Sequence, residues 1–160
     1  MSEPITQFMG EHRFLSNFHF VPVMFDGVEY PSTEHAYQAA KTLSMLERNE
    51  IRAAAKPGEA RRLGQKVAMR PDWDEKKLGI MEVLLRQKFS YPELQEGLLA
   101  TGDRDLIEGN TWHDNYWGVC RCTGDHCARS QTLGLNMLGK LLVKIRAELR
   151  NNEDKGKKAP

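Results

Sequence analysis

No apolar run in the 160-residue sequence approaches the roughly 20 residues that a membrane-spanning helix requires. The N-terminus also shows no signal-peptide pattern. These absences predict a cytoplasmic protein with no membrane partner. An excess of charge of one sign is missing too: 23 Lys and Arg against 22 Asp and Glu leave a net charge of +1. Tight nonspecific binding along a nucleic-acid backbone is therefore not expected, although a pocket that reads one nucleotide needs no basic face. There is no P-loop, no glycine-rich strand-to-helix turn and no G-x-S-x-G nucleophile elbow. No cofactor is expected. Cysteine is scarce and local, with Cys120, Cys122 and Cys127 in one short segment. An odd count in one place is not a disulfide framework and agrees with a reducing compartment.

What is present fits one soluble domain. Hydrophobic residues make up 40% and charged residues 28%, enough to bury a core at this length. Val21, Val23 and Phe25 alternate, Asp26-Gly27 supplies a turn, and Val28 and Tyr30 resume the alternation, so residues 18–30 read as a hairpin. Pro22 makes the first strand an edge or an irregular one. After Pro31, Ser32 or Thr33 caps a helix expected to run to about Glu47, followed by pieces over Arg48–Ala55 and Glu59–Gly64. Over Asp74–Ser90 the apolar residues Leu78, Met81, Leu85 and Phe89 recur at helical spacing, with Leu84 and Lys88 at the flanks. Pro92 opens a short helix closed by Gly102, and a last helix spans about Leu133–Arg150. The tail 151–160 is polar and unpatterned and is expected to be mobile. The fold class is α+β, mostly α: one compact domain over residues 1–150, with an N-terminal hairpin and several packed helices.

Three segments could carry chemistry. In "YPSTEHAYQAAKTL", Glu34, Tyr37, Gln38 and Lys41 share one helix face, while Ala36, Ala39, Ala40 and Leu43 occupy the other. Such a polar stripe is ordinarily solvated; an acid, an amide and an amine at this spacing could equally act on one ligand. In "EGNTWHDNYWG", Glu108 and Asp114 offer an acid or a base. Trp112 or Trp117 could stack on a base, a contact of roughly 1–3 kcal/mol. The plainer reading is a cluster of indoles plugging apolar surface, with carboxylates capping turns. In "RFLSNF", Ser16 and Asn17 are either a clamp on sugar or phosphate or a simple turn. Trp73 either lines a pocket or covers apolar surface, and His35 and His113 read as structural. Cys120, Cys122, His126 and Cys127 form C-x-C-x3-H-C, four potential soft ligands on one loop. The spacing is tighter than separated C-x2-C pairs, and incidental thiols are the alternative; no metal is assigned.

Four segments in order, "FLSNF", "VEYPSTEHAYQAAK", "EGNTWHDNYWG" and "LGLNMLGKLLVKIR", resemble the YbiA/NADAR family from about Phe14 to Arg146. The departure is "CRCTGDHCARSQTLG", where many members have a short glycine-rich connection. The resemblance implies a mainly helical fold and N-glycosidase chemistry at the anomeric carbon of a ribose. Some members are similar to enzymes that remove ADP-ribose from modified guanine in DNA, often opposing a DNA ADP-ribosyltransferase toxin. Others look like enzymes that destroy ribosylamino-pyrimidine phosphate intermediates of riboflavin biosynthesis, so a phosphoribosyl small molecule is the alternative substrate. Carried over by position, the catalytic residues implied are Glu34, Lys41 and Asp114. Glu34 or Asp114 would protonate the base and activate water, and Lys41 would form a Schiff base or bind phosphate. Ser16, Asn17, Gln38, Trp73, Glu108, Trp112, Trp117, Gly118 and Asn136 would bind substrate. A noncatalytic ADP-ribose-binding module and a zinc-stabilised interaction domain are the readings from other classes.

Overall fold

The computed structural model of the chain describes residues 2–124, 127 and 134–158. They form two units, Asn17–Tyr91 and a second made of the residues before Asn17 and those from Pro92 on. The mostly helical α+β class is the one observed.

In the Asn17–Tyr91 unit, β1 (Phe20–Phe25) and β2 (Val28–Ser32) pair antiparallel, with Val23 opposite Tyr30 and Phe25 opposite Val28. Asp26 and Gly27 both take positive φ, 47° and 75°, the turn geometry that matches strand twist. The register shifts between Phe20 and Val23, around Pro22, as a residue with no N–H to donate requires. Helix α4 (Trp73–Lys88) reaches this edge: the Gln87 carboxamide accepts from Met24 N–H at 2.7 Å and donates to Met24 O at 2.9 Å. Tyr91 Oη donates to Pro22 O at 2.9 Å. The outward backbone groups of Met24 and the Pro22 carbonyl are thereby paired.

Helix α1 (Thr33–Ala40) follows β2 directly and contacts β1, β2 and α4, together with α2 (Met45–Ala53) and α3 (Pro57–Gly64). Its end is earlier than the expected Glu47. Thr42 leaves the helix to bridge Met69, and Ser44 caps α2, its Oγ accepting Glu47 N–H. The small residues Ala36, Ala39 and Ala40 are fully buried, as expected of a close-packed face, whereas Leu43 lies beyond the helix and is exposed. Close approach of α3 to α1 fixes Gly64, where an added Cβ would sit 2.1 Å from Gln38 Oε1 and 2.8 Å from Gln38 Cβ. In α4 the stripe is Met81, Leu84, Leu85 and Lys88, all buried, so Leu84 and Lys88 belong to its centre rather than its flanks.

The second unit contains a 3-10 helix (Gly10–Leu15), α5 (Pro92–Ala100), β3 (Gly109–Asn110), β4 (Val119–Cys120) and α6 (Met137–Lys158). Ile5 joins the segment before β3: its N–H donates to Asp105 O and its carbonyl accepts Ile107 N–H, both at 2.8 Å. Leu15, Leu98, Leu106, Leu138 and Leu142 are buried apolar residues of this unit. Buried Arg146 donates to Thr101 Oγ1 at 2.7 Å and Arg104 O at 2.9 Å, which satisfies a charge that would otherwise be costly to enclose. Helix α6 starts at Met137 and continues past Arg150 to Lys158, through the polar stretch expected to be a tail. No helix among the described residues is long and apolar enough to cross a membrane.

Candidate functional site

The α1 stripe is not a wet face. Glu34 is 7% exposed and Gln38 4%, and Gln38 Nε2 donates to Glu34 Oε1 at 2.6 Å across one helical turn. Glu34 lies in the first turn of α1, where the helix dipole favours a carboxylate. Its backbone N–H donates to Asn17 O at 3.1 Å, which holds Asn17 against the helix start. Asn17 is 8% exposed, and its Oδ1 and Gln38 Oε1 are buried acceptors without a hydrogen bond from any described residue. A buried acceptor left unsatisfied costs about 1–3 kcal/mol, so a ligand hydroxyl or N–H reaching Asn17 Oδ1 would be rewarded, whereas Gln38 Oε1 is packed against Gly64.

The next turn of the stripe carries aromatic and cationic groups. Tyr37 packs on Trp73 with ring centroids 5.1 Å apart, and Lys41 Nζ stands 5.6 Å from the Tyr37 centroid, within cation–π range. Lys41 is half-buried. Its carbonyl accepts Arg70 N–H at 2.7 Å, and Arg70 O in turn accepts Trp73 N–H at 3.2 Å, so the same short segment sets both Lys41 and Trp73. Buried Trp73 opens α4.

The loop between β3 and β4 is built by side chains that replace missing backbone partners. Buried Asn110 accepts Asp114 N–H at 3.1 Å and donates to Asp114 O at 2.7 Å. Asp114 Oδ1 accepts Tyr116 N–H at 3.1 Å and Trp117 N–H at 2.9 Å. Asn115 Oδ1 accepts Cys120 N–H at 2.9 Å. The first donors of α6 are also taken, since Met137 N–H reaches Tyr116 O and Leu138 N–H reaches Trp117 O. Trp117 meets Tyr116 edge-on at 4.9 Å, whereas Trp112 is 51% exposed. At Gly118 an added Cβ would lie 2.1 Å from Glu108 O, so close backbone approach fixes this glycine.

Asn136 has a structural duty: its Oδ1 accepts Glu108 N–H at 3.1 Å and its Nδ2 donates to Leu106 O at 2.8 Å. Ser16 follows the 3-10 helix and donates its N–H to Arg13 O. Within Asn17–Tyr91 the structure thus brings together Asn17, Glu34, Gln38, Lys41 and Trp73. Within the other unit it joins Glu108, Asp114, Trp117, Gly118 and Asn136 through one hydrogen-bonded loop, with Trp112 at its exposed edge. Tyr37, Asn110 and Asn115 are constituents that residue type alone does not single out. Tyr37 had a signal in its helical phase; the two asparagines had only their place in a turn-rich segment.

The same loop carries sulfur. His113, at φ 68°, turns its ring toward Cys120, Cys122 and Cys127. Burial opposes ionisation of Cys120, but hydrogen bonds from the Cys122 N–H and the neighbouring thiols prevail and bring its pKa down to about 6. Cys127, hydrogen-bonded to the Cys122 and Cys120 sulfurs, is pushed up to about 12. His126 lies outside the described residues.

The model of the NADAR domain family matches residues 5–150. The N-glycosidase YbiA of Escherichia coli is 38% identical over 137 residues, covering 84% of this chain and 79% of that protein. An N-glycosidase of Nostoc punctiforme is 36% identical over 142 residues, covering 85% of each. A riboflavin biosynthesis protein of Vibrio vulnificus is 33% identical over 144 residues, which is 88% of this chain and 36% of that protein. The NMR structure of Escherichia coli YbiA has a TM-score of 0.76 and 33% identity, covering 96% of this chain and 89% of the other. Shared sequence and shared fold agree over nearly the whole length: the chain belongs to the NADAR family.

Proposed function

We propose that this N-glycosidase hydrolyses the bond between the anomeric carbon of ribose and a base nitrogen in ADP-ribosylated guanine carried by DNA. The observation that carries the reading is the buried Glu34–Gln38 pair on the helix face that also bears Lys41. Glu34 protonates the departing nitrogen, and the C–N electron pair leaves with the base. The carboxylate so formed takes a proton from the water that attacks the oxocarbenium-like carbon. One water is consumed; the products are the restored base and a ribose with a free hydroxyl at C1. Gln38 orients the carboxyl group, Asn17 Oδ1 accepts a sugar hydroxyl, and Lys41 acts on the ribose or its phosphate. Asp114, whose Oδ1 is engaged by two backbone N–H groups, holds the loop that carries Trp117.

A polymeric substrate is favoured by Trp112, an exposed indole on the same loop as Asp114. It would stack on a neighbouring base for roughly 1–3 kcal/mol, a contact a free nucleotide does not offer. On this reading the enzyme reverses the work of a DNA ADP-ribosyltransferase toxin. The second reading is hydrolysis of ribosylamino-pyrimidine phosphates, favoured by relatives named riboflavin biosynthesis proteins that align over 88% and 78% of this chain.

The test is ADP-ribose release from an oligonucleotide carrying ADP-ribosylated guanine, with wild type beside Glu34→Ala and Lys41→Ala. Release by wild type alone supports the reading. Turnover of ribosylamino-pyrimidines instead moves the enzyme to the second. Tight ADP-ribose binding with no turnover of either substrate would make it a binding module, and full activity in both variants would remove the α1 face from the chemistry.

A further inference from the structure

We propose that His113, Cys120, Cys122 and Cys127 form a structural zinc site. Their ligand atoms, the His113 imidazole nitrogen and three Sγ, all lie within 4.8 Å of one another. His113 Nδ1 is 3.2 Å from Cys127 Sγ, 3.5 Å from Cys122 Sγ and 3.8 Å from Cys120 Sγ. Zinc bonds of about 2.3 Å to sulfur and about 2.0–2.1 Å to nitrogen, at tetrahedral angles, require N···S edges of about 3.6 Å. The three observed N···S edges bracket that value, and the sulfurs, within 4.8 Å of one another, would draw in by no more than about 1 Å to the S···S edge of about 3.8 Å that the same geometry requires.

The donor set points to the ion. Three thiolates and one imidazole make a soft, four-coordinate, closed site, the composition of structural zinc and without a position for a reacting water. The surroundings also suit thiolate ligands. Cys122 N–H donates to Cys120 Sγ at 3.4 Å and Asn115 Nδ2 to Cys127 Sγ at 3.8 Å, hydrogen bonds of the kind that orient and tune metal ligands. His113 adopts φ 68°, a left-handed conformation uncommon for a residue with a side chain. A backbone held there needs a reason, and aiming Nδ1 at three sulfurs supplies one.

The ligand spacing is therefore H-x6-C-x-C-x4-C, with the histidine outside the cysteine segment. Zinc would close the loop from residue 113 to residue 127 and brace the turn organised by Asp114, the residue next to His113. Its role is positional. The proposal stands independently of which substrate the enzyme takes.

The full-length protein, purified without added metal, is analysed for zinc by elemental analysis, and the apoprotein is titrated with cobalt(II). The expected result is one zinc per chain. Cobalt should give the strong visible bands of tetrahedral coordination, with near-ultraviolet charge transfer from thiolate. In competition with a chromogenic chelator, His113→Ala lowers zinc affinity by more than about 100-fold, beyond the loss typical of an outer-shell change. His113→Cys restores binding with stronger charge transfer, and His126→Ala binds as wild type. Folded wild type with titratable thiols that neither retains zinc nor gives the cobalt bands overturns the site. Loss of zinc in His126→Ala with retention in His113→Ala overturns the ligand assignment. The wild-type spectrum decides the site even if a variant does not fold.

Discussion

Gln38 donates to Glu34 across one turn of a helix whose polar stripe is buried, so the amide orients a carboxyl group rather than decorating a surface. Glu34→Gln preserves shape and an acceptor for Gln38 but removes the acid. The expected loss in kcat is about 10²- to 10⁴-fold, the usual worth of a positioned acid–base group, with a stability change within about 1.5 kcal/mol. Turnover of the ADP-ribosylated oligonucleotide and a urea midpoint read the two separately. An inactive variant that is also unfolded would assign Glu34 to the fold instead.

Lys41 sits at the end of the same helix with its ammonium over Tyr37. Arginine keeps the charge and the ring contact but cannot form a Schiff base. If Lys41 only binds phosphate, Lys41→Arg retains most activity and borohydride traps nothing during turnover. If it attacks the sugar, Lys41→Arg is as inactive as Lys41→Ala, and borohydride fixes one sugar on the wild-type chain, visible by mass spectrometry. An essential Lys41 is the expected outcome, with Lys41→Ala losing at least about 100-fold in kcat/KM.

Asn110 makes two hydrogen bonds to the backbone of Asp114 from a buried position. Asn110→Ala deletes both and leaves the Asp114 groups to find water. The expected destabilisation is about 2–4 kcal/mol, counting about 1 kcal/mol per lost bond and a further penalty for any group left buried. Chemical denaturation measures it. A change below about 0.5 kcal/mol would mean that the loop does not depend on this pair.

Features that rest on neighbours in sequence were legible, and those that rest on chain return were not. Asp26-Gly27 between alternating strands, Pro22 at a register shift, and the Met81–Leu85 stripe of α4 follow from local conformational preference and period. The early end of α1 depends on Thr42 bridging Met69, a partner far along the chain that no propensity encodes. Burial of Glu34 and Gln38 is similarly a tertiary fact: a polar stripe reads as solvated until other elements cover it. His113 carried no local sign of a thiol partner, because the cysteines return to it only through the β3–β4 pairing. Asn136 was legible as a position of the family but not as a backbone clamp, since an asparagine at positive φ serves either purpose.

His35 gives the fold a pH dependence with a definite sign. Its ring is buried beneath the helix start; Nε2 meets Ala54 O at 3.1 Å and Nδ1 meets Ser32 Oγ at 2.7 Å. Burial lowers its pKa below the ordinary 6.5, outweighing the Ala54 carbonyl and Glu59, which raise it. The unfolded chain therefore binds more protons than the folded one just below that value, and stability rises with pH there. The contribution is fully present above about pH 6.5 and is lost as pH falls through the folded pKa, at no more than about 1.4 kcal/mol per pH unit. His35→Gln, whatever its stability at neutral pH, should show a shallower decline between pH 7.5 and 5 than wild type. Urea denaturation across that range measures both slopes, and parallel slopes would mean that His35 protonates as readily in the folded protein as in the unfolded chain.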